Sequence, residues 1–300
     1  FSHSLRMKYY LPPLQRGACN TMLASMSVKP FLKWVGGKRQ LLPEIQNFIP
    51  QQVDRYVEPF MGGAAVFFHL APKKALLNDI NAELVNCYNV IKSSPNELIM
   101  ALRKHVYNTE YYNEIRFLDR AEGGLFALSE IARASRFIYL NRTGFNGLYR
   151  VNSKGFFNVP MGRYKNPRIV NEEGIFACAR CLQSAEITNM SFEEILTGTR
   201  AGDFVYLDPP YIPLSETSSF TSYAGGGFDM EAQIRLANAV RDIDSRGIRF
   251  LASNSYTDEI FSLYQGFRII EVSANRAINS KADGRKPVKE VLITNYDAKH

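Results

Sequence analysis

Short apolar runs alternate with helix-periodic stretches along this chain, and most of the runs stop on a polar or glycine-rich turn. Phe204-Val205-Tyr206-Leu207 is apolar at successive positions, which predicts a strand buried on both faces, as in a parallel sheet. Arg55 to Phe60, Met61-Gly62-Gly63-Ala64-Ala65 and Val66 to Leu70 read in turn as strand, glycine turn and helix. Ala75-Leu76-Leu77 is the next strand and ends at Asn78-Asp79. From Ala82 to Tyr139 the pattern is mostly helical, punctuated at Ser94-Pro95 and Gly123-Gly124. Arg249 to Ser253, Thr257 to Tyr264 and Phe267 to Val272 predict strand, helix and strand, and Val291 to Thr294 a final strand. The alternation predicts an α/β fold.

The ends of these runs carry the candidate chemistry. Asp208, Pro209, Pro210 and Tyr211 follow the strand at 204–207, and a parallel sheet opens its ligand crevice at the carboxyl ends of its strands. Asp208 can accept one hydrogen of an exocyclic amine and the Pro209 carbonyl, aimed by two rigid prolines, the other; Tyr211 can stack on the base. A Pro-rich turn is the plain alternative, and a cofactor site nearby would decide between them. The glycine turn at 61–64 lets the backbone approach a ligand, and Asp79, ending the next strand, is placed to bind ribose hydroxyls or to cap the helix that follows. The three spaced glycines of a dinucleotide fingerprint are missing, which disfavours a nicotinamide cofactor. Gly36-Gly37-Lys38-Arg39 imitates the end of a phosphate-binding loop but lacks its first glycine and its Ser or Thr.

Charge locates a partner. From Arg133 to Arg168 there are eight basic residues (Arg133, Arg136, Arg142, Arg150, Lys154, Arg163, Lys165, Arg168) and no acid, a local +8 against +7 for the whole chain. Aromatics, Gly and Asn interleave with them, which predicts irregular structure rather than a simple amphipathic helix, and a nucleic-acid surface rather than a merely solvated face. Arg276, Lys281, Arg285, Lys286 and Lys289 form a second basic cluster, read as phosphate contacts, and Ser215 to Gly227 is either a lid or an ordinary loop.

At this point ordered motifs can be matched: KPFLKWVGGKRQLLPEI (29–45), VEPFMGG (57–63), LLNDINAELVNCYNVIK (76–92), NRTGFNGLYRVNSKGFFNVPMGRYKNP (141–167) and GDFVYLDPPYIPLSETSSFTSY (202–223). The chain resembles the Dam-type DNA adenine N6-methyltransferases of the D12 class, alpha group, and is most similar to the methylases of DpnII-type restriction–modification systems. The resemblance covers about residues 29 to 296. It implies a doubly wound, Rossmann-like methyltransferase sheet with an inserted, largely helical DNA-recognition subdomain. The expected boundaries are 29–82 and 190–300 for the core and 83–189 for the insert, with 1–28 a leader or appended remnant lacking ordered structure.

The cofactor so implied is S-adenosyl-L-methionine, with Trp34, Lys38, Asp79 and Asp208 on cofactor-contacting positions, joined by Phe60 and Gly62 of the glycine turn. Asp208, Pro209, Pro210 and Tyr211 fall on the catalytic motif. Lys33, Arg142, Phe145, Asn146, Leu148, Arg150, Pro160 and Tyr164 fall on positions used around a GATC target, Arg150 being the candidate for a guanine because its planar fork spans O6 and N7. The family's FxGxG motif ends here in Ala64, a methyl group that is expected to weaken cofactor binding slightly. Thr143 and Phe145 also depart from common family residues, which leaves flanking-sequence preference open.

The expected reaction is methyl transfer to adenine N6 in duplex GATC after base flipping, because the target atom is unreachable inside the helix. Double-stranded DNA is the implied partner, with a cognate restriction endonuclease acting on the same site as a further candidate. Methylation of RNA or of cytosine N4, and a binding protein of this fold with weak catalysis, are the rivals. Cys19, Cys87, Cys178 and Cys181 make no disulfide framework, and the CxxC at 178–181 lacks further zinc ligands nearby, so no metal is expected. No run of 18 apolar residues occurs, and a cytoplasmic protein is expected.

Overall fold

The computed structural model describes residues 28–211, 228–274 and 288–297. The readings made for 1–27, for the candidate lid at 215–227 and for Arg276, Lys281, Arg285 and Lys286 lie outside them.

Among the described residues seven strands form one sheet: β1 (Arg55–Glu58), β2 (Ala75–Asn78), β3 (Ala185–Thr188), β4 (Asp203–Leu207), β5 (Arg249–Ser255), β6 (Arg268–Ala274) and β7 (Val288–Thr294). Their order across the sheet is β3-β2-β1-β4-β5-β7-β6. The first five are parallel, and β7 runs antiparallel between β5 and β6. Every residue of β2 and β4 is buried, as their unbroken apolar runs require. Side chains alternate across the sheet: Tyr56, Phe204 and Tyr206 join one core, while Val57, Val205 and Leu207 join the other. The chain order reverses between β1 and β4, which are direct neighbours with Val57 opposite Val205. At such a reversal the connections leave in opposite directions and open a crevice beyond the strand ends.

Among the described residues ten α-helices cover the sheet and build the insert: α1 (Leu42–Gln46), α2 (Ala65–Leu70), α3 (Ala82–Ser93), α4 (Pro95–Leu102), α5 (Thr109–Phe117), α6 (Glu130–Thr143), α7 (Glu172–Leu182), α8 (Phe192–Thr197), α9 (Met230–Ser245) and α10 (Asp258–Leu263). Local signals fix their starts. Asn81, Asn108, Ser129, Asp229 and Thr257 each accept a backbone N–H of the following turn, and Ser191 with Glu194 forms a reciprocal capping box. The cap of α3 is therefore Asn81 and not Asp79, which frees Asp79 for other work. Residues of α3, α4, α6 and α7 share one apolar cluster with Tyr56, Leu77 and Phe204 of the sheet, so sheet and insert bury a continuous core.

The basic stretch is more regular than its composition predicts. Arg133, Arg136 and Arg142 lie on α6, and irregular backbone begins only at Gly144. Beyond it the chain doubles back as a narrow hairpin, bridged at Gly144–Met161 and Val151–Phe157. Buried aromatic and apolar neighbours on α6, among them Tyr139 and Leu140, keep that segment helical by packing, which composition alone does not reveal.

Candidate active site and DNA interface

Asp208 follows β4 and the glycine turn follows β1, so both stand at the same end of adjacent parallel strands. Residues 34–38 touch both. A side-chain carbon at Gly62 would lie 2.7 Å from Trp34 Nε1, and one at Gly63 would lie 3.0 Å from Trp34 Cβ, so the indole rests on the bare glycine backbone. Four residues on, Lys38 Nζ lies 2.8 Å from Asp208 Oδ1 and donates to the Gly36 carbonyl at 2.8 Å. Gly36 and Gly37 thus belong to a turn that spans two motifs, and Lys38, only 5% exposed, is aimed at a carboxylate.

The glycine turn is held from three sides. Gly62 N–H donates to Asp79 Oδ2 (3.0 Å), Tyr88 donates its hydroxyl to the Gly62 carbonyl (2.9 Å), and Met61 N–H donates to the Asn78 carbonyl (2.8 Å). Asp79 accepts a second backbone N–H from Asn81 at 2.9 Å. Burial lifts its carboxyl to about 6, and the two N–H bonds only partly offset this. Phe60 turns its ring against Phe192 and Phe228, with centroids 5.4 and 5.5 Å away. Ala64 adopts φ 49°, ψ 38°, the left-handed region that costs an alanine strain and a glycine none. Its methyl is buried in the core under the turn, which gives the departure from FxGxG a structural meaning.

Several residues of the site carry no motif of their own. Glu58 ends β1 as Asp208 follows β4. Burial pushes its carboxyl far above the usual range; the bond from the Tyr56 hydroxyl (2.9 Å) opposes this, and the nearby charges of Asp208 and Asp79 add to it. Ser253 of β5 donates to Asp208 Oδ1 at 2.9 Å, and Gln233 of α9 donates to the Pro210 carbonyl at 3.0 Å. Tyr211 donates its hydroxyl to Glu290 of β7 at 2.8 Å, and its ring lies 4.5 Å under Lys38 Nζ. A polar residue ending an apolar run was the available signal for Glu58. Ser253 and Glu290 gave none, because what places them is strand pairing between distant segments.

The candidate DNA residues gather beside Trp34. Lys33 lies with its Nζ 4.5 Å from the centre of the Tyr164 ring, and its backbone is clamped by Asn141, which accepts from Lys33 N–H and donates to the Lys33 and Gly147 carbonyls. Tyr164 donates to the Gly144 carbonyl, and Phe145 N–H donates to that of Pro160, which joins the two arms of the hairpin. Phe145 is 49% exposed, and its exposed neighbour Asn146 holds a left-handed backbone at φ 54°. Leu148 packs inward, and Arg150 Nε donates to Asn158 Oδ1 at 2.8 Å. Trp34, Phe137 and Tyr149 stack on one another, linking the glycine turn to this module.

Three of the eight cations have structural work, so the local +8 is not all offered to solvent. Arg133 pairs with Glu83, Arg136 with Asp119 at 3.0 Å, and Arg142 donates to the Phe31 carbonyl at 2.5 Å. Their partners lie outside the acid-free window that the sequence displays. Asp119 is the hub: it also binds Arg120 at 2.7 Å and accepts the Phe157 N–H at 2.7 Å, pinning the hairpin to α6. Thr143 is fully buried and bonds the Tyr139 carbonyl. Lys289 pairs with Glu271 at 2.7 Å across β6 and β7, both side chains being exposed.

Residues 34–278 match the family model described as D12 class N6 adenine-specific DNA methyltransferase. The chain belongs to that family. It is 47% identical over 275 residues to a Type II methyltransferase of Lactococcus lactis subsp. cremoris, covering 90% of this chain and 96% of that one. A DNA adenine methylase of Vibrio cholerae is 38% identical (88% and 95% covered), and one of Escherichia coli K12 is 36% identical (88% and 94% covered). For a DNA adenine methyltransferase the observed sheet and crevice are the expected frame. Among the described residues no helix is long and apolar enough to cross a membrane, and no group of His, Cys, Asp and Glu is placed to hold a metal ion.

Proposed function

We propose that this chain transfers a methyl group from S-adenosyl-L-methionine to N6 of an adenine flipped out of duplex GATC. The observation that carries the reading is the turn at 34–38, which rests Trp34 on the glycine backbone and reaches Asp208 with Lys38. The donor set suits the cofactor. Asp79 spends two lone pairs on Gly62 and Asn81, and a carboxylate has further acceptor capacity for two ribose hydroxyls. Trp34 offers an aromatic wall beside it. Phe60, Gly62 and Lys38 complete the cofactor set we assign. When bound, S-adenosyl-L-methionine supplies an already activated methyl group on a sulfonium.

The chain's part is to hold and polarise the acceptor. Both described contacts of Asp208, from Lys38 and Ser253, fall on Oδ1, so Oδ2 is the oxygen offered to an amine hydrogen. The Pro209 carbonyl takes the second hydrogen, which favours a pyramidal, more basic nitrogen and stabilises the positive charge that grows on it. Tyr211 supplies the stacking face. On the DNA side, Lys33, Arg142, Phe145, Asn146, Leu148, Arg150, Pro160 and Tyr164 form the proposed reading surface. Arg150 is assigned to guanine, and Arg142 acts from its inward anchor on Phe31. Residues 83–189 hold the proposed recognition subdomain, except that their last strand, β3 (Ala185–Thr188), pairs with β2 and belongs to the core sheet. A cognate endonuclease that cuts the same sequence is the proposed partner, in keeping with the Type II name of a relative.

Tritiated methyl transfer to duplexes carrying GATC or its scrambled form tests this reading. Label confined to GATC, and recovered as N6-methyladenine, is expected. Equal label in both duplexes refutes the site assignment, and label in neither refutes catalysis on DNA of this kind.

A further inference from the structure

We propose that Glu290 is a positioning residue for methyl transfer, acting through the Tyr211 hydroxyl; the proposal rests on the reading of Tyr211 as the stacking face. Three observations carry it. The Tyr211 hydroxyl donates to Glu290 Oε2 at 2.8 Å. Glu290 belongs to β7, where it pairs with Ser255 of β5 on one side and Val272 of β6 on the other, so its backbone is fixed by two strands. Its side chain is only 15% exposed, and burial keeps the Tyr211 phenol protonated well beyond its ordinary range, with Asp208 and Glu290 reinforcing this.

A tyrosine ring attached only at its Cα can swing about two side-chain torsions. Here the Cα follows two prolines, the second of which has its carbonyl held by Gln233 of α9. The far end of the ring is tied to the sheet. Held at both ends, the ring keeps the plane against which an extruded purine would lie.

Glu290 also faces Lys38, but at 3.9 Å that pair is beyond hydrogen-bond reach, and Lys38 is satisfied at 2.8 Å by Asp208 and by the Gly36 carbonyl. The phenol is therefore the partner through which Glu290 acts. Glutamine keeps an acceptor oxygen and alanine does not, so the two substitutions separate tethering from charge.

The test uses the full chain, S-adenosyl-L-methionine and a GATC duplex. It compares Glu290→Ala, Glu290→Gln, Tyr211→Phe and the double variant Tyr211→Phe/Glu290→Ala in single-turnover methyl transfer. A parallel duplex carries 2-aminopurine at the target position. Glu290→Ala and Tyr211→Phe are each expected to slow transfer on the order of tenfold, the rate equivalent of about 1.4 kcal/mol, with the KM for the cofactor unchanged. Glu290→Gln is expected to recover most of that loss, and the double variant to be no slower than either single one. The flipped 2-aminopurine is expected to be brighter in Glu290→Ala, because a loose ring quenches it less. An unchanged rate in Glu290→Ala, a Gln variant as slow as the Ala variant, or additive losses in the double variant would overturn the proposal. Absence of adenine methylation by the unaltered enzyme would instead overturn the reading beneath it, so the two failures are told apart.

Discussion

The crevice at the strand ends and the hairpin beside it solve the placement of charge in different ways. In the crevice Asp79 is held by the Gly62 and Asn81 N–H groups, Asp208 by Lys38 and Ser253, and Glu290 stands on a strand paired on both sides. On the hairpin the proposed reading residues from Phe145 to Tyr164 stand on irregular backbone, and one buried carboxylate, Asp119, with its two arginines pins that backbone to α6. The sheet holds its carboxylates by many small ties, whereas the hairpin, beside the bonds between its own arms, is joined to α6 through one charged hub. Damage should therefore be graded in the first region and collective in the second.

The largest effect is expected from Asp208→Ala. Removing the proposed acceptor for the amine should lower single-turnover methyl transfer by at least about 100- to 1000-fold, the scale seen when one preorganised polar contact to a developing charge is lost. The fold should persist, because Lys38 retains the Gly36 carbonyl and has Glu290 3.9 Å away. Circular dichroism and thermal melting beside the rate would check both halves, and retained turnover would place the acid outside the reaction.

Asp119→Ala comes next and attacks the other region. It strands two arginines, one of them 5% exposed, and releases the Phe157 N–H. Breaking a buried pair costs about 3 to 5 kcal/mol, and the lower end applies here because Arg136 and Arg120 each keep two carbonyl partners. Urea unfolding should show the loss. Discrimination between GATC and one-base variants should shrink with it, while methylation of saturating DNA falls less. Full discrimination in a destabilised variant would separate the hub from recognition.

These two variants also mark what the sequence reveals. Asp208 is visible because a motif and a strand end coincide. Asp119 is silent, since nothing in Leu118-Asp119-Arg120 announces that Arg136 and the Phe157 N–H will converge on it. Parallel strands were legible because burial on both faces demands unbroken apolar runs, and helix starts because capping is local. The excess charge of residues 133–168 pointed to a nucleic-acid partner but overstated the cations that are free, because an acid-free window says nothing of acids that the fold brings in from Glu83 and Asp119. Contacts set by long-range pairing, such as Tyr211 with Glu290, leave no local trace.

Arg150→Ala sharpens the contrast at the level of single bases. It should cost about 1 to 3 kcal/mol of discrimination at one base pair and leave the melting temperature nearly unchanged, since its one described partner is Asn158 on the same hairpin. Competition between GATC and single-substitution duplexes measures this, and unaltered preference would move guanine reading to another residue.

Acid should act on the crevice through Asp79. Its carboxyl stands at about 6 in the fold against an ordinary 3.8, so it binds its proton more tightly in the folded chain. The stability this contributes is full below about 4 and is lost as pH rises to about 6. Cofactor binding runs the other way, because ribose hydroxyls donate best to the ionised form. Affinity for S-adenosyl-L-methionine should fall as pH drops below about 6, approaching tenfold per unit. Calorimetric titration across that range, with Asp79→Asn giving a flat and weaker profile, checks the sign.

The smallest effect isolates the strain in the glycine turn. Ala64 and Ala71 bracket α2, and both hold left-handed backbone, at φ 49° and φ 44°. They differ in surroundings: the Ala64 methyl is buried in the core, and Ala71 is exposed. Ala71→Gly should relieve strain with nothing lost to packing, stabilising the chain by up to about 1 kcal/mol after the entropy of glycine in the unfolded state is counted. Ala64→Gly relieves the same strain but removes one buried methyl, worth about 0.8 kcal/mol, so its net effect on stability should be close to zero. The pair thus subtracts strain from burial, and thermal melting of the two variants reads the difference. A gain at position 64 equal to that at 71 would mean that the methyl contributes no packing. In that case the expectation that Ala64 weakens cofactor binding would rest on backbone strain alone, and cofactor affinity in Ala64→Gly would decide it.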